Sequence, residues 1–265
     1  MKAGVSSACL YPKLLEESVY DLALGGIMNV EIFFNTDCEL EKGFVSSLKA
    51  TLDRFGVSCV SVHPYTCAIE TMMFFTGYPR RVNDGIEYYK KYFSAMNILG
   101  AEIFVFHGSK KGLSTSRELY FENYYKLYKT GKEFGITVAQ ENVSRCESGS
   151  LDFLSAMADA LGSDAKFVLD TKQSIRAGEN NFDILKKLSS HIVHVHLSDH
   201  GQTGDCLRIG KGKFNIRHFL SLLNEKSHDA SVMIELYRNN FGSVSDLVED
   251  YGTLESLIKT IQKGV

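Results

Sequence analysis

Eight short apolar runs, separated by longer amphipathic stretches, recur along the whole 265-residue chain. The runs are KAGVSS (2–7), NVEIFF (29–34), VSCVSVH (57–63), EIFVFHG (102–108), TVAQENV (137–143), KFVLDT (166–171), IVHVHLSD (192–199) and SVMIELY (231–237). They are rich in Val, Ile and Phe, as parallel strands buried on both faces are. The stretches between them, among them LLEESVYDLAL (14–24), DGIEYYKKYFSAMNIL (84–99), ENYYKLYKTGKEF (122–134) and LDFLSAMADAL (151–161), have helical patterns. Ser150 stands at the N-cap position of the last of these. Glycines 25–26, 56, 100, 135 and 162 mark helix exits.

Eight strands and eight helices in strict alternation, joined by short connections, force parallel neighbours with right-handed crossovers. Eight such units predict closure into a (β/α)8 barrel. An open doubly wound sheet is the alternative, and the lack of a G-x-G-x-x-G after the first strand weakens its dinucleotide-binding form. With no linker, low-complexity tract or repeat, residues 1–265 read as a single domain. Two connections are long, at 64–81 and 200–215. Both leave the C-terminal ends of strands, where barrels build their sites. The first, with two methionines and several aromatics, suits either a lid over a small pocket or a subunit contact in a homo-oligomer.

A net charge of −3 advertises no nucleic-acid or anionic-membrane partner. The start, MKAGVSSACLYPK, lacks the apolar core of a secretory signal. No run approaches the ~18 apolar residues of a membrane span. The six cysteines form no C-x-x-C pair and read as free thiols of a reducing cytoplasm.

Chemistry shows at the strand ends. Strand three ends in His63, four in His107, five in Glu141, six in Asp170, seven in His196 and Asp199, and eight in Glu235. Taken singly, each reads as a capping or hydrogen-bonded residue. In a barrel these ends converge, and clustered carboxylates repel unless protons or a cation neutralise them. A divalent metal is the simplest neutraliser. Carboxylates with imidazole form a mostly hard donor set suited to Mn²⁺, Mg²⁺ or Co²⁺, with Zn²⁺ or Fe²⁺ also compatible. Cys206 reads as a bystander.

These strand ends resemble the xylose isomerase-like barrel superfamily, which includes sugar-phosphate isomerases and epimerases, ketose 3-epimerases and endonuclease IV. The resemblance covers almost the whole chain and rests on QENV (140–143), LDTKQSIRAG (169–178), HVHLSD (194–199), RIGKG (208–212) and IEL (234–236). It implies four metal ligands: Glu141, Asp170, His196 and Glu235. It also implies that Glu141 and Glu235 move protons on opposite faces of the substrate. His63 and His107 match histidines that some members place beside the site. Endonuclease IV carries D-x-x-H at strand six and D-x-H in a later loop, but this chain reads Asp170-Thr-Lys-Gln173 and Asp205-Cys-Leu207. Neither glutamine nor leucine replaces an imidazole at zinc, so a trinuclear site is not expected.

Other residues carry open readings. Gln173 can donate a hydrogen bond to a sugar hydroxyl. Arg208 and Lys211, with Gly210 and Gly212, make a loop suited to oxygen-rich or phosphorylated ligands, or equally a solvated turn. His194 shares a strand face with His196 and is either a support for it or packing. Glu31 lies mid-strand and either reaches the site or pairs within the core. With no tryptophan, a wall for a sugar must come from Phe33, Phe34, Tyr65, Phe74, Phe75 or Tyr237, most of which also suit the core.

The function expected from the resemblance is a divalent-metal-dependent isomerase or epimerase of a small sugar, sugar phosphate or related polyhydroxy ketone, working by proton transfer through a metal-stabilised enediolate. A hydride shift and a dehydration are routes on the same scaffold. A metal-dependent phosphodiesterase or abasic-site endonuclease and a non-catalytic ligand-binding barrel are the alternatives, since fold does not decide among them.

Overall fold

A computed structural model describes residues 1–112, 115–227 and 229–264. Its eight parallel barrel strands are β1 (Lys2–Ser6), β2 (Asn29–Phe33), β3 (Ser58–His63), β4 (Ile103–Phe106), β5 (Thr137–Glu141), β6 (Phe167–Asp170), β7 (Ile192–Leu197) and β10 (Ser231–Ile234). They close in the order β1-β10-β7-β6-β5-β4-β3-β2, as the eightfold alternation predicts. Strands β8 (Asp199–Gly201) and β9 (Gly204–Leu207) form a separate hairpin.

The helices are α1 (Leu15–Leu24), α2 (Lys42–Phe55), α3 (Glu70–Phe74), α4 (Pro79–Leu99), α5 (Arg117–Glu133), α6 (Leu151–Leu161), α7 (Thr171–Ala177), α8 (Asn181–Leu188), α9 (Ile216–Lys226) and α10 (Val244–Gln262). The expected strict alternation of eight and eight needs correction. Helix α3 lies within the 64–81 connection, and the β6–β7 crossover is split into α7 and α8. Gly178 ends α7 in the left-handed region, and Asn180 caps α8. Helices α4 and α5 begin earlier than their apolar pattern suggests. Proline stands in the first turn of α4, and the Ser116 hydroxyl accepts from the Leu119 amide at α5.

The barrel interior is built by strand parity. Val105, Ala139 and Val168 form their own small buried cluster. Two residues on along each strand come His107, Glu141 and Asp170, so the apolar plug and the polar mouth are successive layers on one face. The larger core lies between strands and helices and is dominated by side chains such as Phe104, Phe106, Tyr89, Tyr124 and Phe219.

Two connections are anchored by buried carboxylates. Asp199 accepts from the backbone amides of His200 (2.7 Å), Gly212 (2.9 Å) and Phe214 (3.0 Å), folding the hairpin loop onto the barrel mouth. A Cβ on Gly212 would stand 2.2 Å from Asp199 Oδ1, so only glycine allows this approach. Glu70 on α3 accepts from the amides of His107 (2.9 Å) and Gly108 (2.7 Å) and from the Tyr89 hydroxyl (2.9 Å). The 64–81 connection is thereby tied to the end of β4.

Burial outweighs the nearby His107 charge and those hydrogen bonds and lifts the Glu70 carboxyl to about 7, above its ordinary 4.5. The folded state then keeps a proton that the unfolded chain releases first. Its stabilising contribution is full below pH 4.5 and is lost as pH rises through 7, by up to about 3 kcal/mol. Glu70→Gln should remove this dependence. Urea unfolding across pH 4.5–7.5 checks it: the wild-type-minus-variant stability should decline through that window, and a constant difference would contradict the assignment.

Candidate metal centre

Strand register brings the polar strand ends together. Asp170 pairs in register with His196, and His196 with Met233, two residues before Glu235. Donor atoms of Glu141, Asp170, His196 and Glu235 all lie within 4.8 Å of one another. His196 Nδ1 faces the group, at 3.2 Å from Glu141 Oε1, 3.6 Å from Glu235 Oε2 and 4.0 Å from Asp170 Oδ2. Asp170 also caps α7, its Oδ1 accepting from the Gln173 amide at 2.9 Å.

The opposite edge of the His196 ring meets a residue that sequence reasoning left aside. Glu31 is fully buried, and its Oε2 lies 3.1 Å from both His196 Nε2 and His194 Nε2. The register that pairs Ser6 with Glu31 and Glu31 with Ser61 lets both hydroxyls donate to its carboxylate, at 2.9 and 2.8 Å. Burial opposes ionisation of Glu31, but His196 and His194 outweigh it and hold the carboxyl well below its ordinary range. Burial likewise opposes protonation of His196, and Glu31 and Glu235 outweigh it. A carboxylate behind a ligating imidazole fixes its tautomer and orientation. With Nε2–H given to Glu31, Nδ1 is the atom left for an ion.

A second donor group shares Glu141. His63 Nε2 and His107 Nε2 are 2.9 Å apart, and His107 Nε2 is 2.7 Å from Glu141 Oε2. Burial and the neighbouring His107 push His63 down to about 4, so it stays neutral. At His107 burial is outweighed by the Glu141 carboxylate, which holds the ring charged well above its ordinary range. Glu141 Oε2 is buried without a directed hydrogen bond. Carboxylate oxygens converging in this way with imidazole nitrogens form a donor set that fits a divalent cation.

Lys172 is a further member that the strand-end pattern missed. Its side chain is 3% exposed, with Nζ 2.7 Å from Asp170 Oδ2 and 2.6 Å from Glu235 Oε2. Burial raises all three carboxyls of the cluster. At Asp170 it prevails over Lys172, leaving the group at about 6. At Glu235, Lys172 and His196 win and draw it down to about 2. At Glu141, His107 and His196 win and hold it well below 4.5. Asp170 is therefore the most readily protonated of the three. The spacing Asp-x-Lys was the signal available in the sequence.

Glu141, Lys172 and Glu235 of the cluster line a cavity of about 490 Å³ whose walls also include His63, His107, Gln173, Arg145, Phe33, Tyr65 and Tyr237. The ring of Phe33 stacks on His63 at 4.7 Å. Of the other aromatic candidates, Phe34, Phe74 and Phe75 are buried in the core. Gln173 Oε1 accepts from the Ser144 amide (3.1 Å) and hydroxyl (2.8 Å), which leaves its amide nitrogen to donate into the cavity. Cys206 takes no part in the donor clusters; its Sγ rests 3.8 Å from the Glu235 carbonyl oxygen.

Arg208 departs from the expected substrate-binding position. Its guanidinium pairs with Asp246 (2.6 Å), Glu249 (2.6 Å) and Asp250 (2.9 Å) on α10 and does not line the cavity. Three acids within one helical turn of α10 capture the side chain, a pairing invisible in the local RIGKG motif. Among the described residues no helix is long and apolar enough to cross a membrane.

Several solved structures share the architecture. A D-tagatose 3-epimerase-like protein aligns with TM-score 0.78 at 19% identity, over 100% of this chain and 99% of its own. An L-ribulose 3-epimerase aligns with TM-score 0.78 at 15% identity, over 100% and 97%. An IOLI protein with a binding zinc atom aligns with TM-score 0.78 at 16% identity, over 98% and 99%. At these identities the likeness is one of fold. No curated protein matches the sequence. Residues 25–257 match the model of the family described as "Xylose isomerase-like TIM barrel", a span that holds all four expected ligands, and the chain belongs to that family.

Proposed function

We propose that the chain is a divalent-metal-dependent isomerase or epimerase of a small sugar, sugar phosphate or related polyhydroxy ketone. The observation that carries this reading is the buried group of Glu141, Asp170, His196 and Glu235, of which Glu141 and Glu235 line a cavity of about 490 Å³. That size suits one small ligand. The sugar epimerases among the structural neighbours, and the zinc in one of them, support the same reading. A divalent ion held by these four residues would polarise a substrate carbonyl and an adjacent hydroxyl, making the neighbouring C–H acidic.

The chain's own groups do the rest. Glu141 and Glu235 are held ionised and can each accept a proton. Before an ion enters, each faces a cation of the chain: His107 lies 2.7 Å from Glu141 and Lys172 lies 2.6 Å from Glu235. One carboxylate would take the C–H proton, and the other, having drawn a proton from solvent, would deliver it to the opposite face of a planar enediolate, inverting the carbon, after which the first releases its proton to solvent. The Gln173 amide donates to a substrate hydroxyl, and Phe33, Tyr65 and Tyr237 offer faces to its C–H surface.

A panel of ketoses, aldoses and their phosphates, each incubated with Mn²⁺, Mg²⁺, Co²⁺ or Zn²⁺ and analysed by NMR for new sugars, tests the proposal. Conversion of at least one ketose, abolished by chelator, is the expected result. Folded protein that converts none of them with any metal would overturn it.

A further inference from the structure

We infer that the ammonium of Lys172 is the resident cation of the Asp170–Glu235 pair, and that a divalent ion takes the four-ligand position only by displacing it. This inference rests on reading the cluster as a metal site. Lys172 Nζ contacts Asp170 Oδ2 at 2.7 Å and Glu235 Oε2 at 2.6 Å. These are the same two oxygens that turn toward His196 Nδ1, at 4.0 and 3.6 Å. An incoming ion therefore meets the ammonium on the same two oxygens.

The charges point the same way. Lys172 supplies one fixed positive charge to a cluster of three carboxylates, which lets them lie together without an ion. A dication at contact distance from that ammonium is repelled by well over thermal energy, even at an effective dielectric constant of about 20. The side chain has somewhere to go. Lys172 lines the cavity, and its Nζ lies 5.3 Å from the centre of the half-exposed Tyr237 ring, which the Arg176 guanidinium also approaches, at 5.1 Å. Site occupancy is thus an exchange of one cation for another, and the lysine sets how tightly the metal is held.

Calorimetric titration of Mn²⁺ into chelator-stripped protein tests this. Lys172→Met should bind Mn²⁺ more tightly than wild type by at least about tenfold, and Asp170→Asn added to Lys172→Met should abolish the gain. Equal or weaker binding by Lys172→Met would overturn the displacement while leaving the metal reading intact. Absence of Mn²⁺ binding in both wild type and Lys172→Met would overturn both. If Lys172→Met does not fold, the wild type decides through reductive methylation followed by peptide mass spectrometry. Lys172 should be methylated several-fold faster in saturating Mn²⁺ than in chelator, and equal protection under both conditions would refute displacement.

Discussion

Glu141→Gln is expected to lower turnover by about 10²–10⁴-fold, the range for loss of a positioned proton acceptor. Glutamine keeps the volume of the side chain but cannot take a proton from carbon. The same carboxylate lies 3.2 Å from His196 and 2.7 Å from His107, so metal content must be measured alongside activity. In protein that retains metal, loss of one base should slow exchange from one epimer more than from the other, because in the proposed reaction Glu141 and Glu235 would serve different faces. Kinetics of both epimers with Glu141→Gln and Glu235→Gln check this. Unchanged turnover in metal-loaded Glu141→Gln would remove that glutamate from the chemistry.

Glu31→Ala is expected to be the most costly change away from the reacting groups. It strips the acceptor from Ser6, Ser61, His194 and His196 inside a fully buried network. Breaking such a pair leaves charge and donors stranded, at a cost of about 3–5 kcal/mol. Loss of the carboxylate behind a ligating imidazole typically weakens metal binding by about 10–100-fold. Urea unfolding and Mn²⁺ calorimetry read the two effects separately. Glu31→Gln keeps an acceptor and should restore part of the stability. A loss under about 1 kcal/mol with unaltered Mn²⁺ affinity would show that Glu31 neither supports the barrel interior nor orients His196.

How much could be read from the chain follows from the range of each interaction. Glu141, Asp170, His196 and Glu235 were legible because each ends its own apolar run, and parallel strands in a closed barrel bring such ends together. Parity along β7 correctly put His194 on the same face as His196. Glu31 was seen but not placed, because its partners His194 and His196 lie 163 and 165 residues away and meet it only across the closed barrel. Lys172 was hidden for a related reason. Its contact with Asp170 is local, but the one that makes it a member of the cluster reaches Glu235, 63 residues on. The hairpin of β8 and β9 was missed because Asp199, which reads as a strand-end ligand candidate, spends its carboxylate on three loop amides. Arg208 was misplaced because the acids that hold it belong to another element, α10.

We propose that this cluster moves a proton at carbon next to a carbonyl. Turnover of a converted ketose in D2O, with Mn²⁺ present and the hydrogen next to the carbonyl followed by proton NMR, tests it most directly. This signal should be lost as deuterium enters both product and recovered substrate, and chelator should stop the exchange. Product formed at full rate with its hydrogen retained from substrate would contradict it, pointing to a hydride shift and reducing Glu141 and Glu235 to ligands.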